Sequence, residues 1–256
     1  MATVASLWIG ERLGMIEQAS IRSFLKVGDR FVLYVYNPVA GVPDGVEVRD
    51  AQEVYPCHTI IRHKKTGSPA LHSDLFRYAL LAKTDYIWVD LDMIALRSFD
   101  FPSPWVFGLE TEGEVNGAVL NMPKESKALQ ELLKFNERTV GLPPMMKGFQ
   151  RVRYWFKSWG RGMTIDRWPW GSIGPRALSH YLHIHDEFKY AMPMSAFYAI
   201  PLHRAHEFVI PGKITLNDLP NDAWGVHLWA KELRQYLKQT GTDKVPEGSF
   251  LSIYLE

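Results

Sequence analysis

The sequence predicts an α/β fold. Three observations carry that expectation: short β-rich runs alternate with helical ones between Met1 and about Met122, Phe31 to Tyr36 is a continuous apolar run, and Tyr86-Ile-Trp-Val-Asp90 sets four large β-formers in a row. Val4 to Ile9 is the first strand, and a helix follows over roughly Gly14 to Lys26. Phe31 to Tyr36 suits a strand covered on both faces, and Asn37-Pro38 breaks it. Val46 to Val48 is a weaker strand. Leu71 to Ala82 reads as a helix because Leu71, Leu75, Tyr78, Ala79 and Ala82 recur at spacings of three and four, while Asp74 and Arg77 share another face. Tyr86 to Asp90 is the best buried strand, and it ends in an acid. Open α/β sheets bind ligands outside the carboxyl ends of their strands, so position alone makes Asp90 a site candidate.

After Met122 the pattern changes. A helix from Lys124 to Asn136 precedes Gly141-Leu-Pro-Pro144. Gly148 to Trp170 then interleaves Phe149, Tyr154, Trp155, Phe156, Trp159, Trp168 and Trp170 with Arg151, Arg153, Lys157, Arg161 and Arg167. This segment reads as a mobile acceptor lid, a peripheral membrane contact or a packed subdomain. The tail offers a short strand at Val226 to Leu228 and an amphipathic helix over Lys231 to Lys238. No linker rich in Ser and Gly divides the chain, so residues 1–256 are expected to form one domain, with a core over about 1–122 and a C-terminal elaboration over about 123–256.

Composition excludes several classes. With 29 basic against 28 acidic side chains the net charge is +1, which gives no global attraction to nucleic acid. Cys57 is the single cysteine, so no internal disulfide or four-cysteine zinc site can form, and a small buried residue is its default role. The longest uncharged run, Tyr190 to His203, falls short of a membrane-spanning helix. A cytoplasmic protein without a transmembrane segment is expected. His180, His183 and His185 lack any further ligand spacing that would support zinc.

The strongest chemical signal is Asp90-Leu-Asp92. Two carboxylates two residues apart after a buried strand face the same way if the extended conformation continues, and both can address one hard divalent cation with phosphate oxygens around it. An acidic turn is the bland alternative. Haloacid dehalogenase-type phosphatases carry such a triplet, but near the N-terminus and usually followed by Gly-Thr. Met93-Ile94 stands there in this chain, with Asn217-Asp218 and Asp222 as a loose match to their downstream acids.

An ordered set of segments is more specific: Ser6-Leu-Trp-Ile-Gly10, Ser73-Asp-Leu-Phe-Arg-Tyr78, Trp88-Val-Asp-Leu-Asp92 and His227-Leu-Trp229. Over about Ala5 to Lys238 this resembles the glycosyltransferases of family 32, Asp-x-Asp sugar-transfer and capsular-polysaccharide enzymes of GT-A fold. The resemblance implies a Rossmann-like nucleotide-sugar-binding core with a helical, loop-rich C-terminal elaboration on the acceptor side. It also implies transfer of a hexose from a nucleotide diphosphate sugar, a UDP-sugar first, to a hydroxyl of a glycan or glycolipid, with retention of configuration and with Mn²⁺ or Mg²⁺ as cofactor.

Residue by residue, the resemblance makes Asp92 a direct metal ligand, Asp90 a contact to ribose, donor sugar or metal, and His227 a third ligand from the tail. Asp74 and Arg77 would reach donor-sugar hydroxyls and phosphates; a surface ion pair contributing about 0.2–0.5 kcal/mol is their alternative. Catalysis is thereby assigned to Asp90, Asp92, Arg77 and Asp74. Donor binding adds Trp8 near the base, Trp88, Asn116 and Gly117 in the pocket, and Trp229 beside His227. A core position for Trp8 and an ordinary turn at Asn116 remain open. Trp170-Gly-Ser-Ile-Gly-Pro175 looks like the acceptor-side Gly-Pro segment. Lys83-Thr-Asp85 departs from the family's Gly-Gly before the strand. A phosphatase and a nucleotide-sugar-binding protein without turnover are the alternative functions.

Overall fold

The structure, a computed structural model, describes residues 1–241 and 244–255. It is a mixed α/β protein. Strand β1 (Thr3–Trp8) leads to helix α1 (Met15–Lys26), where the Glu17 carboxylate accepts the Gly14 amide and closes the N-terminal turn. Strands β2 (Arg30–Val35) and β3 (Glu47–Asp50) follow, then helix α2 (Ala70–Lys83) and strand β4 (Ile87–Val89). The next strands are β5 (Met93–Ala95), β6 (Val106–Thr111) and β7 (Glu114–Asn121). Helix α3 (Lys127–Leu132), strand β8 (Val140–Gly141), helix α4 (Gly148–Lys157), strand β9 (Met163–Thr164) and helix α5 (Pro175–Ile184) come after them. Short 3₁₀ turns occupy much of residues 188–218 before strand β10 (Gly225–His227) and helix α6 (Ala230–Thr240).

The central sheet has the order β3-β2-β1-β4-β7-β6, parallel from β3 to β4 and antiparallel at β7 and β6. Successive residues explain the continuous apolar run in β2. Val32 and Tyr34 pack with α2 residues such as Phe76, whereas Phe31, Leu33 and Val35 pack on the other side with Phe24 of α1. Both faces are covered, so both must be apolar. The chain moves outward from β1 to β3 and then returns to place β4 on the other side of β1. The carboxyl ends of β1 and β4 therefore flank a switch point, the crevice where open sheets hold ligands.

The tail closes on this end of the sheet. β10 pairs antiparallel with β5, His227 opposite Met93, and the Leu228 amide donates to the Asp92 carbonyl at 2.8 Å. Several expectations need adjustment. The helix expected over Lys124–Asn136 is confined to Lys127–Leu132, because Pro123 lies ahead and Ser126 caps it by accepting the Leu129 amide. Asn116 and Gly117 lie within β7, a strand in its own right, and Gly148–Lys157 is a helix. Cys57 is half-buried, with its sulfur 3.9 Å from His72 Nε2.

Candidate active site

Asp90 is the first residue beyond β4. Its amide donates to the Ala118 carbonyl on β7 at 2.7 Å, which fixes the backbone where the carboxylate leaves the sheet. Asp90 Oδ1 accepts the Trp88 indole N–H at 2.8 Å and lies 3.3 Å from Arg77 Nη2. Arg77 Nη2 is also 3.3 Å from Asp74 Oδ1, and Nη1 donates to the Gly117 carbonyl at 2.6 Å. Its guanidinium stands over the Trp88 ring, 4.9 Å from the centroid. The two residues spaced by three on α2 are thus a buried charge cluster joined to Asp90, and the surface ion-pair alternative falls away. Burial pushes the Asp74 carboxyl up to about 6, against the pull of Arg77 and with a push from Asp90. Burial raises Asp90 too, with Arg77 opposing and Asp92 adding.

Gly117 serves this cluster. A Cβ there would sit 2.6 Å from Arg77 Nη1, so only glycine lets the guanidinium reach the β7 backbone. Trp88 corrects an expectation. It is 1% exposed in the core beneath the cleft, and it holds Asp90 and Arg77 instead of facing a donor.

Asp92 is held by the tail. Its Oδ2 accepts the Ala230 amide at 2.9 Å, at the start of α6, and its Oδ1 lies 3.3 Å from His227 Nε2. Burial works to raise the Asp92 carboxyl, but His227 above all, then Ala230 and Arg234, carry it down to about 2. His227 is raised in turn: burial opposes its charge, and Asp92, Asp90 and Glu110 together outweigh the burial. Asp90, Asp92 and His227 each offer one ligand atom, all within 4.8 Å of one another. Two carboxylates and an imidazole suit Mn²⁺, and Mg²⁺ less well. His227 Nδ1 is buried without a hydrogen-bond partner, a polar atom with bonding capacity to spare. The donor set therefore fits a divalent ion.

These side chains line one wall of a cleft of about 320 Å³, within the range of small-molecule sites. Asn116 lies on the same wall, its amide fixed by donation to Glu110 at 2.8 Å and by accepting the Ala118 amide at 2.8 Å. The lining also includes the wall from Trp168 to Ile173, with Pro175 at the start of α5. Gly174 allows that wall to close in, since a Cβ there would meet Asp74 Oδ1 at 2.8 Å. Trp8 and Trp229 do not line the cleft. Both are half-buried against the core cluster on the α1 side, and the Trp229 indole donates to the Ile200 carbonyl at 2.9 Å.

Two residues at the site carry no sequence signal. Tyr198 is buried with its hydroxyl unpartnered, its ring 5.7 Å from His227, and burial together with Asp90 and Glu110 pushes its phenol well up. Glu110 on β6 holds Asn116. Both arrive by tertiary packing, Tyr198 from the uncharged stretch of 3₁₀ turns. Other sequence candidates stay apart. Asp218 caps an exposed turn by accepting from Thr215, and Asp222 faces Ser195, so neither joins the cleft as a phosphatase acid would. His183 donates to the Gly113 carbonyl, and His180 and His185 gather no ligand set among the described residues.

No family model matches the chain, and no curated protein does. Among solved structures it is similar to the apo structure of WbbM, a bifunctional glycosyltransferase, at 15% identity and a TM-score of 0.29. The match covers 52% of this chain and 28% of that one.

Proposed function

We propose that this protein is a metal-dependent glycosyltransferase of GT-A type that moves a hexose from a nucleotide diphosphate sugar, a UDP-sugar first, to a hydroxyl of a glycan or glycolipid. The single observation that carries the reading is the convergence of Asp90, Asp92 and His227 within 4.8 Å, beside the buried Asp74–Arg77 pair, at the sheet's switch point. The motif order along the chain supplies the family resemblance.

Asp90, Asp92 and His227 would hold Mn²⁺ or Mg²⁺, which supplies charge neutralisation to a departing nucleoside diphosphate. The chain's own groups do the rest. Arg77 is kept cationic by Asp90 and Asp74, although burial disfavours its charge. It offsets the carboxylates of Asp74 and Asp90 beside it, and its planar guanidinium would present N–H donors to phosphate oxygens. Asp74 presents its carboxyl toward sugar hydroxyls from the α2 side, and Asn116 offers an amide held at both ends. The walls from Trp168 to Ile173 give an apolar face on which a sugar ring can stack and from which water is displaced. None of the acids lining the cleft is free of a cationic or tail partner, so the donor's phosphate oxygen is the proposed proton acceptor for the incoming hydroxyl, which leads to retention.

The test is a panel of UDP-glucose, UDP-galactose, UDP-N-acetylhexosamines and GDP-mannose with Mn²⁺ or with chelator, read for binding and for slow hydrolysis to the nucleoside diphosphate. Metal-dependent turnover of one donor supports the reading. Binding without turnover means a nucleotide-sugar-binding protein, and phosphate release from simple esters without a donor means a phosphatase.

A further inference from the structure

The cleft leaves one feature unused. Helix α4 buries none of its side chains. Phe149, Val152 and Phe156 fall at i, i+3 and i+7 and are 80%, 50% and 68% exposed; Trp155 beside them is 49% exposed, and Trp159 just past the helix is 90% exposed. A stripe of large apolar side chains in water is costly unless something covers it.

The charge pattern identifies the cover. From residue 139 to residue 165 there is no Asp or Glu, whereas Lys147, Arg151, Arg153, Lys157 and Arg161 are all basic. The chain as a whole carries only +1, so this stretch concentrates positive charge that the remainder offsets. Arg151 and Arg153 flank the apolar stripe on its two sides by helical spacing. Aromatic side chains on one face, with long basic side chains at its edges able to extend outward, match the boundary between acyl chains and anionic headgroups. The position of the helix adds to this. Tyr154 and Lys157 line a cavity together with Trp168 and Trp170, and those two tryptophans also line the candidate active-site cleft.

We infer that α4 and Trp159 form an interfacial anchor that seats the protein on an anionic lipid bilayer, with the apolar stripe in the headgroup boundary and the basic residues on lipid phosphates. The cleft then opens close to the membrane surface. This inference stands whether or not the cleft transfers sugar.

The experiment is cosedimentation of the full chain with vesicles of phosphatidylcholine alone or mixed with phosphatidylglycerol, with tryptophan emission read in parallel. The expected result is partition onto the anionic vesicles, a blue shift in emission and weakening by salt. Affinity should fall at least about tenfold in the triple variant Phe149→Ser, Phe156→Ser, Trp159→Ser, and by a similar factor in Arg151→Gln, Arg153→Gln, Lys157→Gln. All six positions lie on or just beyond a helix without buried side chains, and matched unfolding curves establish that both variants fold. No partition onto anionic vesicles, equal partition onto neutral ones, or unchanged affinity in both variants would overturn the inference. So would self-association without lipid that the serine variant abolishes, or binding to single-stranded DNA in place of vesicles.

Discussion

Single residues at the cleft act through contacts that specify their replacement. Asp92→Asn keeps a carbonyl oxygen to accept the Ala230 amide but removes the negative charge opposite His227. The fold should persist while Mn²⁺ affinity, measured by calorimetry, falls at least about tenfold; unchanged affinity would remove Asp92 from the proposed metal site. Gly117→Ala drives a methyl into the Arg77 guanidinium, which the buried Asp74 and Asp90 hold from the other side. A loss of about 1–3 kcal/mol in denaturant unfolding is expected. Asp90 was legible because the sequence sets it at the end of an apolar strand. The role of Gly117 was half legible: a glycine signals close approach, but only packing shows that the approaching group is Arg77. Tyr198 was not legible at all, since a tyrosine among 3₁₀ turns carries no periodicity.

Elements differ in how openly the sequence declares them. The β1, β2 and β4 strands are buried on both faces and appear as apolar runs. The β6 strand pairs with β7 through register shifts near Gly108 and Leu109, and such irregular pairing leaves no alternating pattern. The α4 helix carries aromatic and β-branched residues of modest helix propensity, which conceals it. The α3 helix depends on a distant acid: Glu187 accepts the Lys127 amide at 2.8 Å, the Ala128 amide at 3.1 Å and the Ser126 hydroxyl at 2.7 Å. Glu187→Ala leaves those buried donors without a partner at the positive end of the helix. Stability should drop by about 1–3 kcal/mol, read as a lower denaturant midpoint with an unchanged slope.

At the scale of the whole molecule, two buried groups give opposed responses to acid. Burial carries His72 down to about 4, so between its unfolded value and that point the unfolded chain binds the extra proton and stability falls as pH falls. Asp74, raised to about 6, takes its proton in the folded state first, so stability rises as pH falls from 6 toward 4. Across that window the two slopes offset. Relative to the parent, Asp74→Asn should lose stability more steeply on acidification and His72→Gln less steeply, each difference being on the order of 2 kcal/mol after allowance for partial solvation. Parallel unfolding profiles for all three chains would refute the opposed pair. The connection between Asp92 and the tail has a consequence of another kind. Asp92 and Ala230 are 138 positions apart, and His227 meets Asp92 across nearly the same span. During synthesis the triplet leaves the ribosome long before its partners, so a growing chain carries the paired acids without His227 beside them. Assembly of the Asp90, Asp92 and His227 cluster therefore waits until His227 has emerged and β10 has docked on β5.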